Sequence, residues 1–163
     1  MITIANFQLL ANFNTWANTK IFSACKELDD AEYKKDRRAF FSSIHGTLNH
    51  LLVVDRAYIS RIEGIDHGLK SLDQILFESL LQLEEARIKE DKRLVDLVNS
   101  LSVERIEKEI TYKGFETGNT TYTINILLIT LFNHQTHHRG QIHNMLSQAG
   151  IKPPPIDISN FIE

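Results

Sequence analysis

The sequence has little cysteine and little proline, and both shortages narrow the possible folds. One cysteine, Cys25, is present in 163 residues, so no internal disulfide can form. A lone thiol fits a reducing compartment, and we expect the protein to be cytoplasmic. Because Cys25 falls within an apolar helical pattern, we expect a buried thiol rather than a nucleophile. All three prolines stand together at positions 153–155, so no proline interrupts a helix before that point.

Charge of either sign is not in excess, and long apolar runs are missing. The formal net charge is -3, and acids interrupt the basic clusters, so the sequence lacks the electrostatic footprint of nucleic-acid binding. The longest uncharged stretch, residues 117–133, contains glycine, asparagine and several threonines, which argues against a membrane span. No basic residue precedes Lys20, so a signal-peptide pattern is also missing. We expect a soluble protein that binds neither nucleic acid nor a membrane.

Apolar residues at helical spacing are abundant. Steps of three and four predict helices at about residues 4–28, 42–62, 71–101 and 123–149. Ser71 and Gln74 together resemble a capping box at the start of the third helix. Four such helices in a chain of this length predict a single all-α domain, residues 1–163, built as a four-helix bundle.

Two other segments have a different character. Residues 110–123 alternate threonine with aromatic residues around glycines, which favours a small β-hairpin or an irregular loop before the last helix. Gly64 and Gly150 mark the ends of the second and last helices. After the proline run, residues 156–162 are expected to fold back against the bundle.

Two histidines of the last predicted helix give the strongest functional signal. His134 and His138 are four residues apart, so their imidazoles leave the same face one turn apart and can meet one metal ion. That face is also apolar, so both imidazoles point into the bundle, and two buried imidazoles call for a shared partner. A pair of core histidines that bind carbonyl groups or Asp55 explains the spacing equally well.

His50, in the second predicted helix, offers a third ligand. Small neighbours one turn away, Gly46 and Val54, leave space beside it, and it lies at the edge of its apolar stripe, where it can face another helix. Metal sites in helical bundles are built from side chains on facing helices. Three neutral imidazoles would leave positions open to water or substrate, as in catalytic sites.

Four further residues are candidates for supporting the metal ligands or lining a pocket. Asp55 could accept a hydrogen bond from the outer N–H of a ligand histidine, and Gln141 could bind a ligand or a metal-bound water. Polar packing between helices explains both equally well. Trp16 is typical of a core anchor but could line the pocket, and Tyr58 lies on the apolar stripe of the second helix.

Three motifs, taken together, resemble a known family. They are Asn14-Thr15-Trp16-Ala17-Asn18, the segment from His50 to Tyr58, and His134-x-x-x-His138-Arg139-Gly140-Gln141-Ile142. In this order, and over nearly the whole chain, they are similar to the DinB/YfiT-like family. The resemblance implies a bundle with up-down-down-up connections, often a homodimer. It also implies a divalent metal held by three histidines that map onto His50, His134 and His138, rather than His137.

The same resemblance implies an activity. Characterised relatives include metal-dependent transferases and isomerases that use low-molecular-weight thiols. We therefore expect an enzyme that transfers such a thiol to an electrophilic small molecule, with zinc or nickel as the first choices of metal. A metal-dependent hydrolase is one alternative. A non-catalytic, stress-related dimer that binds a metal or another ligand is a second.

Overall fold

The chain is mostly helical, with one small antiparallel sheet. The computed structural model describes residues 3–115 and 118–162. Within them the helices are α1 (Ile4–Cys25), α2 (Asp30–Lys34), α3 (Ile44–Glu63), α4 (Leu80–Ser100), α5 (Val103–Ile106), α6 (Ile124–Gln148) and α7 (Ser159–Ile162). The strands β1 (Glu109–Lys113) and β2 (Asn119–Thr123) pair just before α6. None of these described helices has both the length and the apolar character that a membrane span requires.

The four long helices of the described chain, α1, α3, α4 and α6, pack against one another in pairs. Helices α1 and α3 each contact both α4 and α6. Their apolar side chains form two buried clusters, one toward each end of the helices. The first cluster includes Ile21, Leu51, Leu83 and Ile142, and the second includes Phe7, Ile59, Leu94 and Leu127.

A layer of buried polar side chains lies between the two apolar clusters, and every long helix contributes to it. The layer consists of Asn14 and Asn18 from α1, Asp55 from α3, Arg87 and Asp91 from α4, and Gln135 and Arg139 from α6. Its two arginines balance its two aspartates. Because a buried charge without a partner is strongly unfavourable, the four charges have to be brought together for the helices to pack.

Arg87 lies at the centre of this layer. Its Nη1 is 2.7 Å from Asp55 Oδ2, and its Nη2 is 3.0 Å from Asp91 Oδ1. Gln135 donates a hydrogen bond of 2.5 Å to Asp55, and Asn18 donates one of 3.0 Å to Asp91. Burial raises the pKa of Asp55, and the Arg87 guanidinium opposes that rise. Asp55 of α3 is therefore contacted from α4 and α6, and Asp91 of α4 is contacted from α1, which ties the helices in register.

Helix α4 begins at Leu80, so the prediction that it starts at residue 71 is wrong. Residues 71–79 are irregular because α3 offers their backbone other partners. Asn49 Oδ1 accepts hydrogen bonds from the amides of Leu76 and Phe77, at 2.9 and 3.0 Å. Gln74 caps no helix; its Oε1 accepts a hydrogen bond from the amide of Lys70.

Three other predicted features are confirmed: the hairpin, the two helix ends marked by glycine, and the last segment that folds back. The hairpin pairs Ile110 with Tyr122, although residues 116 and 117 of its predicted turn lie outside the described residues. Gly64 and Gly150 have φ of 75° and 78°, as expected at helix ends. The last segment folds back, and the ring of Phe161 packs on Phe13 and Trp16. A short helix, α2, replaces part of the predicted polar connection.

Replacing Asp55 by asparagine should destabilise the protein, because the buried Arg87 loses one of its two charge partners. Removing one partner of a buried ion pair typically costs about 3 kcal/mol. The matched control is D96N, which removes the carboxylate of the exposed Lys92–Asp96 pair on α4 and should change stability by less than about 0.5 kcal/mol. Urea unfolding of both variants measures the difference. Equal losses would show that the buried layer does not stabilise the helix packing.

Candidate metal centre

Three histidines come together where α3 faces α6. Their candidate ligand nitrogens, from His50, His134 and His138, all lie within 4.8 Å of one another, and the group could hold a metal ion. Nε2 of His50 is 2.9 Å from Nε2 of His134. The ring centroids of His134 and His138 are 4.3 Å apart, as the four-residue spacing on one helix face predicts. The structure thus brings together the three histidines that the sequence favoured.

Neighbouring groups determine which nitrogen carries the proton in two of the three imidazoles. Nδ1 of His50 lies 2.8 Å from the carbonyl oxygen of Leu72, and Nδ1 of His138 lies 2.7 Å from Oε1 of Gln141. Both oxygens can only accept, so both Nδ1 atoms donate. Each Nε2 therefore presents a lone pair toward the centre of the group. Metal-binding histidines commonly have this arrangement, in which an acceptor holds the outer N–H.

His134 completes the fit to a metal ion. Its Nδ1 is buried and has no hydrogen-bond partner among the described residues. Its Nε2 faces the lone pair of His50 Nε2, and two lone pairs at 2.9 Å repel each other unless a proton or a cation lies between them. A divalent cation that binds all three Nε2 atoms would remove this repulsion, so the donor set fits such an ion.

Burial keeps the three imidazoles neutral. Burial, with a smaller contribution from neighbouring histidines, lowers the pKa of His50 to about 4 and that of His134 to about 3. The pKa of His138 is also lowered by burial, although its hydrogen bond to Gln141 opposes the change. Neutral imidazole is the form that binds a metal, so at neutral pH protons do not compete for the site.

The ring of Phe41, a residue that the sequence did not single out, covers the histidines. Its centroid lies 3.7 Å from that of His50, with the planes 20° apart, and 5.6 Å from that of His138. Phe41 belongs to a tight loop in which the next residue, Ser42, has a φ of 60°. Two adjacent phenylalanines just before the cap of α3 are the only sequence signal for this contact.

Gly46 makes room for the Phe41 loop rather than for His50 itself. A Cβ atom at Gly46 would lie 2.2 Å from the carbonyl oxygen of Phe41, far inside van der Waals contact. The loop can therefore lie against the first turn of α3 only because residue 46 has no side chain. This close approach places the Phe41 ring on His50.

The other candidate residues occupy different places. Gln141 contacts His138, with its Oε1 2.7 Å from Nδ1 of that histidine. Asp55 is not next to a histidine; its partners are in the polar layer, because α4 brings Arg87 to it. Trp16 is half-buried against Phe13 and Phe161 at the surface of α1. Tyr58 is half-buried and lines a cavity beside the histidines.

That cavity has a volume of about 380 Å³ and opens beside His50 and His134. One wall comes from α3, through Tyr58 and Arg61, and the facing wall comes from the hairpin, through Tyr112 and Tyr122. Its volume lies within the range of small-molecule sites, which are mostly apolar with a few polar groups. The three histidines therefore lie at the edge of a space that can admit a small molecule.

Comparison with known proteins agrees with the fold. A family model described as "DinB family" matches residues 1–163. The chain is 30% identical over 162 residues to Protein DinB of Bacillus subtilis (strain 168), covering 94% of this chain and 91% of that protein. The uncharacterized protein YizA of the same strain is 24% identical over 142 residues, covering 86% of each. The crystal structure of a DinB-like protein from Bacillus cereus ATCC 10987 shares the fold, with a TM-score of 0.68 at 21% identity and coverage of 93% and 96%.

The variant Gly46→Ala should destabilise the protein by about 1–3 kcal/mol, because the added methyl group overlaps the backbone of Phe41. Gly140→Ala, in α6, is the matched control, since a Cβ there meets no atom within 4 Å. The control should gain about 0.5–1 kcal/mol, because alanine is the better helix former. Urea titration of both variants should give changes of opposite sign. A neutral or stabilising Gly46→Ala would contradict the close packing of the Phe41 loop on α3.

Proposed function

The chain belongs to the DinB family, and from this we propose that it is a divalent-metal-dependent enzyme whose ligands are His50, His134 and His138. The observation that carries the proposal is the convergence of three neutral imidazoles beside an open cavity. Three protein ligands would leave coordination positions for a small molecule, as in catalytic sites. Imidazole ligands suit zinc and nickel, which we propose as the metals.

We also propose that the chain is a single domain, residues 1–163, whose long helices form a four-helix bundle with up-down-down-up connections. Two features of the apolar clusters support this. One cluster joins the last turns of α1 and α6 to the first half of α3 and the first turns of α4. The other joins the opposite ends of the same helices. Both features are expected if α1 and α6 run in one direction and α3 and α4 run in the other.

The proposed reaction is transfer of a low-molecular-weight thiol to an electrophilic small molecule. A bound divalent cation would lower the pKa of such a thiol and favour its nucleophilic thiolate form. The chain has no thiol of its own for this step. Its one cysteine, Cys25, is buried in an apolar cluster, where burial raises its pKa to about 12. The nucleophile must therefore come from outside the protein.

The residues around the histidines have supporting roles in this proposal. The carbonyl of Leu72 and the side chain of Gln141 hold the Nδ1 protons of His50 and His138, so both Nε2 atoms would be available to a bound cation. The Phe41 ring shields His50 from water on one face, which strengthens electrostatic interactions at the site. The cavity beside His50 would hold the second reactant.

We further propose that the enzyme is a cytoplasmic homodimer that acts on a small molecule. The dimer rests on the family resemblance alone. The cytoplasmic location rests on the single free cysteine, since the chain can form no internal disulfide that an oxidising compartment would maintain.

To test the proposed reaction, metal-loaded protein is mixed with 1-chloro-2,4-dinitrobenzene and, in separate assays, glutathione, bacillithiol, mycothiol or cysteine. At least one thiol should react faster than with metal-stripped protein. His134→Ala should bind the metal at least about 100-fold more weakly and lose the activity, because it removes a ligand. His143→Ala, which changes a histidine of the same helix bonded to the carbonyl of Pro154, should keep both. Product absorbance and metal content are measured on the same samples.

The outcomes separate the candidate functions. If the protein holds one metal ion per chain but speeds the reaction of no thiol with the electrophile, the proposed transferase activity is wrong. A hydrolase or a metal-binding dimer then remains. If reconstituted protein holds no metal, or if His134→Ala retains it, the three-histidine site itself is wrong.

A further inference from the structure

Arg61 places a positive charge in the wall of the cavity, and the proposed metal site gives this charge no role. It lies on the stripe of α3 that carries His50 and Tyr58, and its half-buried side chain lines the same cavity. Its Nε is buried and has no hydrogen-bond partner among the described residues. The Arg61 guanidinium forms no ion pair with any of the residues that the structure describes, whereas Arg56 of the same helix pairs with Glu90.

Aromatic rings surround the Arg61 guanidinium. Its Cζ lies 4.1 Å from the ring centroid of Tyr112, 5.4 Å from that of Tyr58 and 5.7 Å from that of Phe115. Ring faces attract and orient a guanidinium. They do not accept hydrogen bonds from the N–H groups that point outward in the guanidinium plane. Although burial lowers the pKa of Arg61, an arginine remains charged at neutral pH. The cavity thus contains an oriented fork of N–H donors.

We propose that Arg61 forms a carboxylate-binding subsite, so that the molecule occupying this cavity is a small organic anion. The planar guanidinium matches a carboxylate with two parallel hydrogen bonds. Arg61 is also the only lysine or arginine in the described lining of the cavity. The single positive charge of Arg61 balances the single negative charge of a carboxylate. A phosphate monoester carries about two negative charges, so a carboxylate is the better match.

The subsite deepens the proposed function and rests on it for the identity of the neighbouring metal centre. A separation of eleven residues between His50 and Arg61 corresponds to a rise of about 16 Å along α3. Both side chains reach into the cavity, so the space between them is shorter. A ligand that spans it would carry its carboxylate several bonds from the atom next to the histidines. Either reactant, the thiol or the electrophile, could be that anion.

The test compares two probes with the same phenylalkyl chain, 4-phenylbutyrate, which ends in a carboxylate, and 4-phenylbutanol, which ends in an uncharged hydroxyl group. Their phenyl ring suits the aromatic walls, and both are titrated into metal-stripped protein and followed by amide chemical shifts in NMR spectra. The acid should bind at least about 10-fold more tightly than the alcohol, as expected for a charge-assisted hydrogen bond. Arg61→Gln should remove this preference. Arg61→Lys, which keeps the charge but loses the fork, should retain part of it.

Two controls separate recognition from a purely structural role. Arg56→Gln changes an arginine of the same helix that lies over the Phe77 ring outside the cavity, and it should leave the preference unchanged. If Arg61 only held the hairpin against α3, Arg61→Gln would weaken both probes equally. Glu116 lies outside the described residues, so its effect on the binding of the probes is tested directly. The variant Glu116→Gln is titrated with both probes and should still prefer the acid.

Equal binding of the acid and the alcohol by the unmodified protein would overturn the subsite, as would a failure to bind the acid at millimolar concentration. An unchanged preference in Arg61→Gln would overturn it too. Because these titrations contain no metal, their result is independent of the metal content that tests the proposed function.

Discussion

The contact of Arg87 with Asp55 and Asp91 is the interaction on which the packing of the long helices depends. Each of these charges is buried, and each would be strongly unfavourable without the others. The layer also determines how α6 is rotated, because Gln135 must reach Asp55. His134, which precedes Gln135 in the sequence, then faces His50 across the interface between α3 and α6. The polar layer and the histidine group are therefore consequences of one helix register.

The histidine group combines burial with oriented hydrogen bonds. Burial keeps the imidazoles neutral, and the acceptors next to Nδ1 of His50 and His138 leave their Nε2 atoms free. The cavity beside the group is walled by α3 and by the hairpin, so the segment between α5 and α6 forms one side of the space next to the histidines. Arg61 and the rings of Tyr58 and Tyr112 give this wall a charge and a shape that a plain hydrophobic packing surface would lack.

Much of this could be predicted from the sequence, because the decisive signals are local. The spacing of His134 and His138 places both on one helix face, and alternation around glycines favoured a small β-hairpin or an irregular loop, of which the hairpin is observed. The partner of Asp55 could not be predicted from the sequence, because it depends on the register of α4 against α3. The late start of α4 likewise depends on Asn49, a residue of another helix. Helical spacing puts Arg61 on the same face of α3 as His50, but its contacts with the hairpin rings and the place of Phe41 depend on tertiary packing that no short-range pattern encodes.

The most direct test of the metal centre is X-ray absorption spectroscopy of the zinc- or nickel-loaded protein at the metal edge. We predict three imidazole ligands at about 2.0–2.1 Å, the distance usual for zinc–histidine bonds, with light atoms from solvent in the remaining positions. In His138→Ala the imidazole signal should fall to two ligands, because His138 would supply one of the three donor nitrogens. A sulfur neighbour from Cys25, or fewer than three imidazoles in the unmodified protein, would contradict the three-histidine site.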